Sequence, residues 1–397
     1  MTHPLHAAAR LQQPHTLALR RALHADPEVG LQLPRTQAAL LAALDGLGLK
    51  LSTGKRCTSV IGVLRGAHPG PTVLLRADMD ALEVSEDTGL DFASRRPGVM
   101  HACGHDTHMA MLASAARLLS DRRSELHGQV LLMFQPGEEG LHGARLMLEE
   151  GLLREHRPVS AFALHISATV AAGLVQTRAG AMMASTDTLR VTVTGRGGHA
   201  SAPEQALDPV PAAAAMVGAL QTMVGRRVGV FDPAVVTVSH LWAGTTHNII
   251  PETAHLEGTL RCLSDSTRSR LRELVHRVCE HTAAAHGCTA EVSLEPGYPV
   301  TVNDAAVVER VRALTTDILG PQAAPEMPDP LMGGEDFSYV LAEVPGAMAF
   351  LGACPPTISP LDAPANHSNR VVFDEDSLPD GVALLAGFAL SELAGAR

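Results

Sequence analysis

Aromatic side chains are scarce in this chain: eight Phe, two Tyr and one Trp make up 3% of 397 residues. Single-stranded nucleic acids are held by stacking bases on such rings, so the shortage argues against that class of partner. Positive charge is short too, with 31 Lys plus Arg against 42 Asp plus Glu and a net charge of -11. This balance speaks against nucleic acids and anionic membranes, while leaving room for a local basic pocket. No stretch of about 20 residues is free of charge, proline and histidine, so no membrane-spanning helix is expected. The leucines between Met1 and Arg21 are interrupted by histidines and arginines, unlike a secretory signal. Cysteine is limited to Cys57, Cys103, Cys262, Cys279, Cys288 and Cys354, without the spacing of a disulfide framework. That usage suits a reducing compartment, and the expected address is the cytoplasm.

What the chain has is apolar residues, at 46%, and length enough for two domains. Leu and Ala recur at helical spacing over 10–24 and 35–47. Short buried strands are predicted over 59–65, 72–77, 129–134 and 159–165, the last with His165 at its carboxyl end, and a helix over 107–120. Strand and helix in alternation imply an α/β domain with a mainly parallel sheet and helices on both faces. The pattern changes near residue 182. Strands over 188–194, 234–242, 253–263 and 289–294, with helices over 209–223 and 266–286, follow the order of a ferredoxin-like α+β unit. The expected organisation is therefore a discontinuous domain, 1–181 and 298–397, interrupted by an inserted unit over 182–297. The strand 347–352 would complete the first domain.

Two polar clusters fall at strand-to-helix junctions. His101-Ala-Cys-Gly-His-Asp106 sets a thiol and an imidazole, Cys103 and His105, two positions apart. Gln135-Pro-Gly-Glu-Glu-Gly140 adds the adjacent carboxylates Glu138 and Glu139. With His165 and His367 they form a set of S, N and O donors that divalent transition metals accept. Taken singly, Cys103 reads as a buried inert thiol, His165 as a core histidine and the glutamates as a pair at a helix N-terminus. Together they point to a metal centre, because a neighbouring dication removes the repulsion between two adjacent carboxylates. One glutamate should bind metal and the other should work as a base.

Further motifs run in order along the chain: Arg20-Arg-Ala-Leu-His24 with Pro27-Glu28, Arg76-Ala-Asp-Met-Asp-Ala-Leu82, Gly197-Gly-His-Ala-Ser201, Asn248-Ile-Ile-Pro251, Gly258-Thr-Leu-Arg261, Gly334-Glu-Asp-Phe337 and His367-Ser. With the two clusters above, the chain resembles the M20 family of metallopeptidases and amidohydrolases. Within it the resemblance is to the branch of hippurate hydrolases, N-acyl-amino-acid amidohydrolases and auxin-conjugate hydrolases. Departures occur at Glu83, Ala168 and Asn369, where related enzymes often carry proline. They touch pocket shape and leave the proposed ligands in place.

The resemblance implies a two-metal catalytic domain with an inserted lid that also forms a dimer interface, a tetramer being the alternative assembly. It places two divalent ions, Mn2+ or Zn2+ with Co2+ or Ni2+ as alternatives, on Cys103, His105, Glu139, His165 and His367. Cys103 is the bridging candidate, since a thiolate has spare lone pairs. Glu138 becomes the general base. Asp78 and Asp80 end a strand beside the site, where Asp80 would hold a ligand histidine in one tautomer. Asp106 either does the same or caps the helix that follows. His199, on a loop that could equally be a plain glycine turn, is expected to reach a partner subunit's site and donate to the developing oxyanion. Arg261 and Asn248 suit the free α-carboxylate of an N-acyl amino acid. The expected reaction is hydrolysis of hippurate-like or N-acetyl amino acids to a carboxylic acid and a free amino acid. A dipeptidase or N-carbamoyl-amino-acid hydrolase is the alternative, as is a non-catalytic metal-binding relative, against which the intact Glu138 speaks.

Overall fold

The computed structural model describes residues His3–Ala394. They form two compact units. The first runs to Gly180 and resumes over Val302–Pro328 and from Tyr339; the second comprises Ala181–Thr301 and Asp329–Ser338. The segment 329–338, which the sequence reading leaves with the first domain, thus groups with the second. The reason is backbone pairing: Ala184 N–H donates to both Leu331 O and Gly333 O, and Leu331 bridges Met183. An irregular segment of this kind carries no periodic signal.

The first unit is built on a seven-stranded sheet in the order Lys50–Thr53, Val60–Arg65, His127–Gln135, His68–Asp78, Pro158–Ala171, Gly346–Cys354, Val175–Gln176. The four strands from His127–Gln135 to Gly346–Cys354 are mutually parallel, and the edge pairings are antiparallel. Their side chains alternate between two dry faces. Val73, Leu75, Ala77, Val130, Leu132, Phe134, Phe162 and Leu164 join one core with residues of the helices Pro4–Ala25, His105–Asp121 and Leu378–Glu392. The intervening Leu74, Leu131, Met133, Ala161 and Ala163 lie outside that cluster and are as deeply buried. Continuous apolar runs are what a sheet covered on both faces requires.

Two boundaries differ from the sequence reading in ways that matter for chemistry. The helix predicted from 107 begins at His105, so His105 and Asp106 occupy its first turn. Gly104 precedes it in the left-handed region at φ 87°, where a Cβ would lie 2.4 Å from Ile166 Cγ2; only glycine fits this turn. The strand predicted to end at His165 continues to Ala171, because Gly346–Cys354 pairs with it beyond that point and bulges to reach Ala171.

The second unit holds a four-stranded antiparallel sheet in the order Ala234–Ala243, Thr253–Cys262, Ser185–Thr194, Thr289–Pro296. The helices Pro209–Arg227 and Asp265–Ala285 pack on one face, with Asp208 and Ser264 capping their first turns. Thr253–Cys262 buries every second residue, the signature of a sheet with one dry face. Element order and strand order are those of the expected ferredoxin-like unit. Ala234–Ala243 is an edge strand, and on it Trp242 stacks between His240 (ring centroids 4.2 Å) and His255 of the next strand (5.0 Å). Among the described residues no helix is long and apolar enough to cross a membrane.

Candidate metal centre

Parallel strands bring their carboxyl ends to one edge of a sheet, and the polar clusters gather there. Cys103 Sγ lies 3.4 Å from His165 Nε2 and 3.3 Å from His367 Nε2. His367 Nε2 is in turn 3.3 Å from Glu139 Oε1, which stands 4.0 Å from His105 Nε2. Of the groupings close enough to share an ion, two contain the thiol: Cys103 with His105 and His165, and Cys103 with Glu139 and His367. The thiol belongs to both. Glu138, buried beside Glu139, groups with Glu139 and His105.

Hydrogen bonds aim these groups. His105 Nδ1 donates to Asp80 O at 2.8 Å and His165 Nδ1 to Ile166 O at 2.7 Å; carbonyls only accept, so each Nε2 is turned toward the cluster. Asp80 thus meets His105 through its backbone carbonyl. Its carboxylate does something else, accepting the N–H groups of Glu138 (2.9 Å) and Glu139 (3.0 Å) and pinning the glutamate turn. Asp78 accepts from Arg76 (2.7 Å) and from His108 Nδ1 (2.5 Å). His108 Nε2 takes the N–H of Ile166 at 2.7 Å, next to the ligand strand's His165. Asp106 fills neither expected role: it is buried against Arg20 Nε (3.1 Å) and His24 Nδ1 (2.9 Å), behind the ligand helix. The helix start is left to Gly104, whose missing side chain caps nothing.

Charge follows this layout. Burial alone would raise the Cys103 thiol, yet the charges of His165 and then His105 hold it well below the usual range. His105 is held well above its usual value despite burial, chiefly by Asp78 and then Cys103. The hydrogen bonds of His367 to Cys103 and then Glu139 push it up to about 10. A metal that takes these atoms must displace whatever protons they carry.

In the second unit, Gly198–His199 pairs with Ile249–Ile250, and Ala200 N–H donates to Asn248 O at 3.1 Å. His199 and Asn248 line one cavity of about 590 Å³. His199 Nδ1 accepts from Ser201 N–H at 3.1 Å, which leaves the proton on Nε2 as an exposed donor. Arg261 is not part of that cavity's lining; it is half-buried on Thr253–Cys262, donating to Leu260 O at 3.0 Å.

The sequence profile of peptidase family M20/M25/M40 matches residues 74–391. The chain belongs to this family. An IAA-amino acid hydrolase ILR1-like 2 of Arabidopsis thaliana is 38% identical over 379 residues, covering 94% of this chain and 84% of the plant protein. An N-acetyl-L-cysteine deacetylase of Bacillus subtilis is 36% identical over 338 residues, covering 85% and 80%. Among solved structures, the YXEP protein of Bacillus subtilis, described as a dinuclear metal-binding peptidase of the M20 family, superposes with a TM-score of 0.84 at 31% identity, covering 97% of this chain and 99% of that one. As an M20 member the chain is an amide-cleaving hydrolase.

The donor set of this M20 chain fits metal on its own terms. His105 Nε2 is buried and has no hydrogen-bond partner, a state that native proteins avoid unless an ion or water completes it. Thiolate, imidazole and carboxylate together are the ligands of borderline divalent ions. Sequence reasoning missed His108 and Asn366, both of which touch the backbone of the strand that carries His165. His108 had a signal, lying three residues after His105 on the same helix face. Asn366 had only its place beside His367.

Proposed function

We propose that this M20 enzyme hydrolyses N-acyl amino acids, of the hippurate-like or N-acetyl type, to a carboxylic acid and a free amino acid. The observation that carries the reading is the pair of donor sets sharing the Cys103 thiol beside the buried Glu138. Cys103, His105, His165, Glu139 and His367 would hold two divalent cations, Mn2+ or Zn2+, the Cys103 thiol being common to both donor sets. Such a pair supplies Lewis acidity to the carbonyl and a nucleophile at neutral pH. Glu138 takes the proton of the attacking water and returns it to the leaving nitrogen, from a turn that Asp80 keeps in place. His199 offers its Nε2–H to the oxyanion, and Asn248, in the same cavity, adds an amide contact to the substrate. Arg261 receives the free carboxylate. Relatives named for an IAA-amino acid and for N-acetyl-L-cysteine support an acyl amino acid as the substrate class.

The reading includes a homodimer formed through the second unit, in which His199 serves the partner's site. Support comes from the edge strand Ala234–Ala243, which exposes Val235, Leu241 and Trp242, and from Val230 and Phe231, each more than 90% exposed just before it. An open apolar edge is a pairing surface. All six cysteines are unpaired, which suits a cytoplasmic address.

A panel of acetyl, benzoyl, carbamoyl and aminoacyl amino acids on metal-loaded protein tests the substrate class. Turnover of the aminoacyl or carbamoyl compounds alone would replace the reading by a dipeptidase or a carbamoylase, and turnover of none by a binding protein. Arg261→Ala should cost roughly 10-fold or more on an N-acyl amino acid, the scale of a lost hydrogen-bonded charge contact, and far less on the matching amide without the carboxylate. Equal losses on both would remove Arg261 from substrate recognition.

A further inference from the structure

The proposed ligands come from stretches of chain that are remote in sequence, and one side chain outside the donor sets, beside His367 in a third stretch, is hydrogen-bonded to two of the others. Asn366 Nδ2 donates to Cys103 O at 3.0 Å and to Ile166 O at 3.0 Å, while its Oδ1 accepts from Ala168 N–H at 3.1 Å. Two carbonyls can only accept and a backbone N–H can only donate, so the partners themselves determine which way the amide faces. Ile166 O is also the acceptor of His165 Nδ1. Asn366 and a proposed ligand thus share one oxygen.

His367, the next residue, has the most need of such support. Its side chain is 55% exposed, against 0% for His105, so packing does not set its direction. Its backbone stands at φ 72°, a region that non-glycine residues occupy only where surrounding structure holds them. One hold is His367 N–H to Ala102 O at 2.9 Å; the other is the amide of Asn366. The remaining ties of this loop, Ser368 N–H to Ala365 O and Asp87 N–H to Asn369 O, reach neither the Cys103 loop nor the His165 strand.

We infer that Asn366 is a positioning residue for the metal centre: it sets His367 against Cys103 and thereby the affinity for the cation held by Cys103, Glu139 and His367, without contacting cation or substrate. The cation on Cys103, His105 and His165 depends on it less, because His105 is buried in a helix and His165 lies within a paired strand. The inference rests on the ligand reading given under the proposed function.

The test is a calorimetric titration of chelated protein with Mn2+, comparing wild type with Asn366→Asp, which keeps the acceptor for Ala168 and loses both donors. One equivalent should bind within about threefold of wild type and the other about 10- to 100-fold more weakly, the scale for residues that orient ligands. The melting midpoint of the chelated variant should stay near wild type, and kcat should recover as Mn2+ is raised while KM for substrate holds. Asn366→Ala serves if the aspartate variant does not fold, and Asn369→Ala, at the loop's other tie, should leave both equivalents unchanged. Equal weakening of both equivalents, no weakening of either, or a fall in chelated stability that parallels the affinity loss would overturn the inference. His367→Ala separates it from the ligand reading. If that variant still binds two equivalents at wild-type affinity, the ligand reading fails; if it loses one while Asn366→Asp loses none, only the role of Asn366 fails.

Discussion

The candidate site residues of the two units differ in burial. In the first, a mainly parallel sheet is dry on both faces, and Asp78, His105, Asp106 and His108 at and behind the site are at most 2% exposed. In the second, an antiparallel sheet is dry on one face only, and His199 and Asn248 stand on exposed short segments. Burial makes the first set strongly interdependent, since each charge there needs a named partner. The second set is free to serve something outside its own unit. A substitution in the first should therefore damage a whole cluster, and one in the second should remove a single contact.

The largest effect tests that interdependence. Cys103→Ser should lose both cations and all measurable turnover together, because a neutral hydroxyl cannot stand between two ions as a thiolate does. Elemental analysis of the purified variant checks it, and full metal content would end the shared-thiol reading. Glu138→Gln should keep its metal and lose about 100-fold or more in turnover, whereas Glu139→Gln should weaken metal binding; normal turnover in Glu138→Gln would break the assignment. The second unit is probed by mixing inactive Glu138→Gln with inactive His199→Ala chains. Random exchange puts half of the subunits in dimers with one intact site of two, restoring roughly a quarter of wild-type activity. A verified heterodimer without recovery would confine His199 to its own chain or to no role.

The smallest effect concerns stability behind the ligand helix. Burial lowers His24, but the charge and hydrogen bond of Asp106, with help from Glu86 and against Arg20, raise it to about 9. Phe92 meets its ring edge-on and the neutral His101 lies beyond. A raised folded-state value means that the stabilisation is complete below 6.5 and is lost as pH rises through about 9. Glu86, lowered to about 2 against the effect of burial by its bond with His24, contributes above 4.5 and is lost only in acid. Denaturant midpoints of chelated protein should fall between pH 6.5 and 9 more steeply in wild type than in His24→Gln. Parallel profiles would show that His24 carries no charge in the folded protein.

The same contrast explains what could be read from the chain. Donor type and local spacing are sequence properties, so Cys103, His105 and the Glu138–Glu139 pair stood out, and periodicity gave both sheets. What stayed hidden depends on hydrogen bonds closed by tertiary structure. Asp80 uses its backbone for the histidine and its carboxylate for the glutamate turn, a division no pattern encodes. Asp106 stands next to His105 yet turns to Arg20 and His24, more than 80 residues away. The strand through His165 runs past its predicted end because a partner strand from residue 346 onward extends it. Segment 329–338 has neither helical nor strand period, and it is bonds closed in the tertiary structure, to Ala184 and Met182, that say where it belongs.

The edge strand of the second unit has an optical consequence. Trp242 is the chain's one tryptophan, 40% exposed and stacked between two imidazoles. All indole fluorescence therefore originates at a single position on the proposed subunit boundary. Diluting the protein through its dissociation range should shift the emission toward longer wavelength as water reaches the ring. The proposed dimer can thus be tested without a label, a substrate or a metal.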